Sequence, residues 1–364
     1  MTKKLRIGII GTGGIAHAHM RAYQKFEDVS IVGGADIIPG KARAFLDEFG
    51  LCKAEAFESA AAMIKNLELD GVSVCTYNKT HAECAIMALE AGLHVQCEKP
   101  MSFTLAEAVD MVRASRRSGK ILTIGFQPRY SHMRRKVDEI IASGTLGEIY
   151  YVQSGGGRRR GIPAGSFVDA EKGGFGCLGD LGCYSIDECL HAIKYPKPLT
   201  VSAVATDHFG KNPQYWSDPE NFNVDDFSVA FVRLENDITF VFKQAWAMHA
   251  DSLGDTLWLG TKGGIKICNG FEDPSKPSRV MCFMDVNGMQ TDTYVLPSNM
   301  YDAYRGPAEI DIFAAKVRDF CDAILEGRPA PIPGEEILYN QAIIDGIYRS
   351  AKEKKEIVID IPSI

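Results

Sequence analysis

The chain has 364 residues, 46% of them apolar, and its 40 basic and 47 acidic side chains leave a formal charge of −7. That length is large for a single core and points to two domains. The charge argues against nucleic acid as a main partner, and no apolar run approaches the roughly 20 residues of a membrane helix.

In chain order, the basic start Met1-Thr2-Lys3-Lys4 leads into Leu5–Ile10, too short an apolar stretch for a signal peptide and better read as a strand. Ile7–Ile10 ends at a glycine-rich turn, Gly11-Thr12-Gly13-Gly14-Ile15-Ala16. A helical pattern through Ala16, Met20 and Tyr23 follows. Ile31–Ala35 is a second strand ending at Asp36, and Lys41–Phe49 a helix. Val72–Cys75 and Val95–Cys97 are further buried strands. Helices over Ala82–Ala91 and Leu105–Ser118 lie among them, and a strand over Ile121–Ile124 closes the series. Continuous apolar strands alternating with helices imply a parallel sheet covered on both faces. Its connections should be right-handed crossovers.

After about Gly125 the rhythm changes. A helix is expected over Met133–Ser143 and a strand over Ile149–Gln153. The strand runs into a glycine- and arginine-rich loop, Gly155–Gly165, and a helix follows over Leu178–Ile193. Strand-like runs come next: Val201–Thr206, Phe227–Leu234, Ile238–Ala245, Thr256–Leu259 and Ile265–Cys268. Asn236-Asp237 between two of them reads as a hairpin turn. The end returns to helix, Ile310–Leu325 and Glu335–Lys352. The expected architecture is α/β, with a doubly wound parallel sheet over residues 1–124. An α+β domain with a mostly antiparallel sheet follows over 125–364.

None of the ten cysteines forms a Cys-x-x-Cys pair. Reduced, buried thiols are the simplest reading, in keeping with a cytoplasmic setting. Cys177, Cys183 and Cys189 recur every six residues, which does not match a zinc site, and no metal is expected.

The glycine turn has a mechanism. Gly11 permits the tight turn, Gly13 lets backbone approach a pyrophosphate, and Ala16 allows close packing of helix on strand. The helix that follows offers free N–H groups and its positive end to phosphates. Asp36 comes 20 residues after Ala16. There an acid accepts bonds from both ribose hydroxyls of NAD and repels a 2′-phosphate. The alternative is a structural turn with a surface aspartate.

Glu98-Lys99-Pro100 directly follows the apolar run His94–Cys97, which puts an amine at the carboxyl end of a buried strand. With this element on the page, the chain resembles the Gfo/Idh/MocA oxidoreductases nearly end to end. The resemblance rests on the glycine turn, on Thr76-Tyr77-Asn78-Lys79-Thr80-His81, and on Ala91-Gly92-Leu93-His94-Val95 leading into Glu98-Lys99-Pro100. It continues through Ser143-Gly144-Thr145-Leu146-Gly147-Glu148-Ile149, Arg159-Arg160-Gly161-Ile162-Pro163 and Gly173 to Gly182. It implies a Rossmann domain followed by an open-faced sheet domain, and hydride transfer between NAD and a carbinol of a sugar, glycoside or cyclitol. It also implies cofactor contacts at Gly11, Thr12, Gly13, Gly14, Ile15, Asp36, Thr76, Asn78, His81, Glu98, Lys99 and Gln127.

The same resemblance implies that Lys99 is the acid/base. A free lysine, with a pKa of about 10.4, is a poor base at neutral pH. Burial and the positive nicotinamide would lower that value. Glu98 resembles the family acid near the nicotinamide; its alternative is an ion pair with a surface base. Pro100 is expected after a cis peptide. Asp180 and Tyr184, four apart, share one helical face. Many relatives carry histidine where this chain has Tyr184. A phenol does not titrate like imidazole, so Tyr184 is read as a hydrogen-bond donor to the substrate oxygen or a proton relay. Asp180 then orients a substrate hydroxyl or the lysine. The alternative for this pair is a helix-start acid and a core tyrosine. Asp187 matches a family position, and His191 is read as structural. Arg158, Arg159 and Arg160 are either a solvated charge run or a grip on a sugar hydroxyl or acidic group. Trp216, Trp246 and Tyr215 would stack on a sugar ring or pack in an interface.

Two other functions remain open on sequence. One is an enzyme that retains its cofactor and oxidises then reduces within one cycle; the other is a non-catalytic dinucleotide-binding regulator. The open sheet face implies a homodimer or homotetramer.

Overall fold

The computed structural model describes residues 4–171, 176–268, 279–295 and 311–364. They form two compact units. The first holds the residues up to Gln127, with Asp311–Gln341 and Pro362–Ile364; the second holds the described residues from Pro128 to 295, with Ala342–Ile361.

In the first unit the order is β1 (Leu5–Ile10), α1 (Gly14–Tyr23), β2 (Val29–Ala35), α2 (Lys41–Glu48), β3 (Glu55–Phe57), α3 (Ala60–Asn66), β4 (Gly71–Val74), α4 (His81–Glu90), β5 (His94–Cys97), α5 (Leu105–Ser118) and β6 (Leu122–Ile124). The strands make one sheet in the order β3-β2-β1-β4-β5-β6, and every pairing is parallel. Chain direction across the sheet reverses between β1 and β4, so the carboxyl ends of these strands flank the switch point where such sheets bind ligands. β4 is buried throughout and β5 nearly so, which accounts for their unbroken apolar character. α5 begins at a capping box, Thr104 with Glu107, and stops at Gly119 in the left-handed region. β3 and α3 escape the sequence reading because β3 is three largely exposed residues without an apolar run.

The second unit holds α6 (His132–Ala142), β7 (Ile149–Gln153), α7 (Cys183–Ala192), β8 (Pro198–Thr206), β9 (Phe227–Leu234), β10 (Thr239–Ala245), β11 (Thr256–Gly260), β12 (Gly263–Cys268), β13 (Arg279–Val286) and β14 (Met289–Val295). Its nine-stranded sheet runs β14-β13-β12-β11-β7-β10-β9-β8-β15, with β15 at Ile357–Val358. Among the described residues only the β7–β10 pairing in this sheet is parallel. Asn236 and Asp237 both take positive φ, 61° and 55°, as a hairpin turn of the primed type requires. The β13–β14 hairpin is absent from the sequence reading. β14 carries Met289 and Tyr294 largely exposed and shows no clean alternation.

The expected boundary at 124/125 assigns the whole C-terminal part to the second domain, and the structure differs. α8 (Ile312–Glu326) belongs to the first unit: Val317, Phe320 and Cys321 enter the core that holds Ile7, Met20 and Tyr23. Asp311 caps this helix by accepting the amide of Ala314. α9 (Gly334–Glu353) begins in the first unit and ends in the second. All ten cysteines are free, and Cys52 is exposed, against the expectation of buried thiols. Among the described residues no helix is long and apolar enough to cross a membrane.

Candidate active site

In the first unit, Gly11 has φ +83°, and a Cβ there would stand 2.8 Å from the backbone of Cys75 and Thr76, so this close approach to the end of β4 requires glycine. Gly13 and Gly14 differ. A Cβ at either meets nothing within 4 Å, so the turn borders open space. α1 starts at Gly14 with no side-chain cap and no acid in its first turn, leaving its amides for an anion. This turn therefore fits a pyrophosphate.

Asp36 is nearly buried and well tied down. Its Oδ2 accepts from Thr12 N at 2.9 Å and Thr12 Oγ1 at 2.8 Å, and pairs with Lys41 Nζ at 3.0 Å; Oδ1 accepts from Ile38 N at 3.0 Å. Burial pushes its pKa up, but the two amides, Lys41 and the Thr12 hydroxyl outweigh that and hold it below the usual value. The aspartate fixes the glycine turn as well as marking the end of β2. Lys41 beside it was not anticipated as its partner.

The β4–α4 turn carries Thr76, half-buried, and Asn78, whose buried Oδ1 accepts no protein hydrogen bond. His81, expected at the cofactor, is 1% exposed. Its Nδ1 lies 2.8 Å from the Pro100 carbonyl and its Nε2 3.1 Å from the Thr76 carbonyl, while burial lowers its pKa. A neutral ring has one N–H for two carbonyls. His81 thus ties the turn to the segment after β5. Gln127, also expected at the cofactor, is nearly buried in a 3₁₀ turn, Gln127–Tyr130.

Lys99 is half-buried at the carboxyl end of β5, and the Lys99–Pro100 peptide is cis. Glu98 is turned into the core. Its carboxylate is buried and bonded to Lys316 Nζ at 2.6 Å and His19 Nε2 at 2.7 Å. The base it meets is neither a surface group nor a neighbour in sequence. Burial acts to raise the Glu98 pKa, but Lys316 above all holds it well below the usual range.

In the second unit the expected helix over Leu178–Ile193 begins instead with a π turn, Leu178–Gly182, and becomes α7 only at Cys183. Such turns recur at functional sites. The wider turn interrupts the regular 3.6-residue period that would put Asp180 and Tyr184 on one helical face. Asp180 Oδ2 accepts from Trp246 Nε1 at 3.1 Å, and Trp246 is fully buried. Trp246 is therefore a core residue that holds Asp180, not a platform for a sugar. Buried Asp225 holds the start of the turn, accepting from Leu178 N (3.1 Å), Cys177 Sγ (2.9 Å), Ser228 Oγ (2.9 Å) and Tyr348 OH.

Tyr184 borders a small cavity with Arg129, Asp187, His191 and Trp258. Asp187 is bound by the Arg129 guanidinium, at 2.6 Å from Nη2 to Oδ1, and by Tyr195 OH, so its carboxylate is committed within the unit. His191 pairs with Asp138, in line with a structural role. Of the three adjacent arginines, Arg160 stacks on Phe209 and Tyr215 and donates to the Met248 carbonyl. Arg160 is nonetheless exposed, as are Arg158 and Arg159. Tyr215 is part of that stack, and Trp216 packs edge-on to Phe222. Gly173, Gly174 and Phe175 lie outside the described residues.

Residues 5–126 match the Gfo/Idh/MocA family model described as an oxidoreductase family with an NAD-binding Rossmann fold. Residues 134–266 match the model of the Gfo/Idh/MocA C-terminal domain. The chain is 30% identical over 272 residues to the D-glucoside 3-dehydrogenase of Escherichia coli K12, covering 72% of this chain and 77% of that protein. It is 31% identical over 144 residues to the myo-inositol 2-dehydrogenase of Thermotoga maritima, covering 40% of this chain and 42% of that one. Among solved structures, levoglucosan dehydrogenase in complex with NADH and levoglucosan shares the fold with a TM-score of 0.82 at 22% identity, covering 99% of this chain and 100% of the other.

Proposed function

The chain belongs to the Gfo/Idh/MocA oxidoreductases, and on that footing we propose that it oxidises or reduces a carbinol of a sugar, glycoside or cyclitol with NAD, using Lys99 as the acid/base. One observation carries the reading. The pyrophosphate-fitting turn after β1 and Lys99 after β5 lie at the same carboxyl edge of one parallel sheet.

NAD, when bound, supplies the hydride acceptor or donor. Gly13 and Gly14 face its pyrophosphate and Asp36 its adenosine ribose. A neutral Lys99 amine takes the hydroxyl proton during oxidation, and the ammonium returns it to the oxygen in reduction. Tyr184 donates a hydrogen bond to a substrate oxygen, a bond that strengthens as alkoxide charge develops. Asp180, aimed by Trp246, orients a neighbouring hydroxyl. Arg158, Arg159 and Arg160 are the exposed bases of their loop that would meet a sugar hydroxyl or an acidic group.

The test is Lys99→Ala beside Lys99→Arg. Both lose turnover by a factor on the order of a hundred or more, because guanidinium does not deprotonate at useful pH. NADH affinity stays near that of the unaltered protein. Near-normal turnover in either variant removes Lys99 from the chemistry.

The sheet face that carries Val204, Phe231 and Val358, all exposed, is assigned to contact with a second copy of the chain. Sedimentation velocity gives a dimer or tetramer on this assignment, and a monomer at micromolar concentration defeats it.

A further inference from the structure

We propose that Lys316, on α8, is a positioning residue for Lys99: its ammonium fixes the Glu98 carboxylate, and Glu98 fixes the backbone that presents Lys99. The proposal rests on the acid/base reading of Lys99.

Lys316 interrupts an otherwise apolar stripe. Phe313, Val317, Phe320 and Cys321 pack into or against the core, and Lys316 falls on the same face at 2% exposure. A lysine that deeply buried needs a partner. It has Glu98 at 2.6 Å and the Phe313 ring at 4.9 Å, with His19 Nε2 at 3.2 Å. The other groups around Glu98 complete a directed chain. His19 Nε2 faces the carboxylate, so a neutral His19 carries its proton there and accepts at Nδ1. Ser73 Oγ, at 3.1 Å, then donates to Nδ1, and Tyr23 OH, at 2.8 Å, donates to Ser73. One tautomer satisfies the bonds among Glu98, His19, Ser73 and Tyr23, and Lys316 then donates to Glu98 rather than to His19. On its remaining side the carboxylate rests against Gly125, where a Cβ would stand 2.7 Å from Oε1. Glu98 has no room to turn, and its Oε2 accepts the Lys99 amide at 3.4 Å. The active-site lysine is thus tethered by a residue 217 positions further along the chain, since 316 − 99 = 217. Removing Lys316 leaves a buried carboxylate without its cation, and such a group rearranges or takes up a proton.

The experiment compares Lys316→Met, Glu98→Gln and the double variant, with myo-inositol, methyl D-glucoside and levoglucosan as carbinols. NADH affinity is read by fluorescence, and thermal melting serves as the folding control. On the proposal Lys316→Met lowers kcat at least about tenfold while KM and the NADH Kd move less than about threefold. The double variant, with a neutral pair, recovers kcat to within about threefold of the unaltered protein. Wild-type turnover in a well-folded Lys316→Met overturns the proposal. So does a kcat loss matched by an equal loss of NADH affinity. If Lys316→Met does not fold, the double variant decides: a native melt with turnover still down tenfold overturns the proposal. Lys99→Ala is measured alongside. Turnover surviving there defeats the acid/base reading itself; turnover lost there but kept in Lys316→Met defeats only the positioning role.

Discussion

Glu98 in the first unit and Asp225 in the second are both buried carboxylates, and each anchors the backbone of a segment that carries a candidate site residue. They are stabilised differently. Glu98 has the Lys316 cation, which keeps it ionised despite burial. Asp225 is held by an amide, two hydroxyls and a thiol, and burial raises its pKa because these neutral donors offset only part of the desolvation. A cation holds a buried charge outright, whereas neutral donors make the same anchor sensitive to pH.

If the second unit takes part in the chemistry, its substitutions affect rate and not only folding. The largest effect expected there is at Tyr184. Tyr184→Phe lowers kcat by about a hundredfold, more than it weakens substrate binding. Steady-state kinetics with a melting control read this, and an intact melt with unchanged turnover returns Tyr184 to the core. Next comes Trp246→Phe, which keeps an aromatic ring of smaller size but removes the indole N–H that donates to Asp180; a melting control reads the lost volume. A tenfold loss of kcat, roughly, corresponds to one hydrogen bond to a charged group. An unaltered kcat separates Asp180 from the site.

In the first unit a smaller effect concerns the cofactor. Asp36→Ala weakens NAD use several-fold, to about the extent of one or two charge-assisted hydrogen bonds, and narrows the preference over NADP. Lys41→Ala, which removes the cation paired with Asp36, sharpens that preference. Kinetic constants for both cofactors check this, and better NADP use by the unaltered protein sinks it.

The subtlest prediction contrasts the two carboxylates directly. Glu98 has a depressed folded-state pKa, so its contribution to stability is present above about 4.5 and is lost as pH falls through its folded value. Asp225 has a raised one, so its contribution is greatest below about 3.9 and declines as pH rises through its folded value. Melting temperature followed from pH 4 upward should therefore fall less in Asp225→Asn than in the unaltered chain. Parallel curves for the two proteins would show that Asp225 does not titrate differently on folding.

The same contrast explains what the sequence discloses. The first unit's candidate site residues stand at the ends of apolar strands, and periodicity with the glycine turn locates them: Gly11, Asp36, Thr76 and Lys99 all lie at that edge. Their partners do not follow from local pattern. Lys316 is the exception with a readable signal, a lysine on the apolar stripe of an amphipathic helix, although nothing nearby names Glu98 as its partner. In the second unit the π turn is invisible because a 3.6-residue pattern fits Leu178–Ile193 almost as well. Trp246, just after β10, and Asp225, just before β9, reach that turn from over 45 residues away, since 225 − 178 = 47. Asp187 matches a family position in sequence, but a long-range partner, Arg129, holds its carboxylate within the unit, and the stack of Arg160 on Phe209 and Tyr215 is equally beyond local pattern.

The most direct measurement of the central claim is NADH formation by the purified protein with NAD and each of methyl D-glucoside, myo-inositol and levoglucosan. The account predicts that absorbance at the NADH band rises with at least one of these carbinols, and faster with NAD than with NADP. No reduction of either cofactor by any of them, from a folded protein that binds NADH, would contradict it.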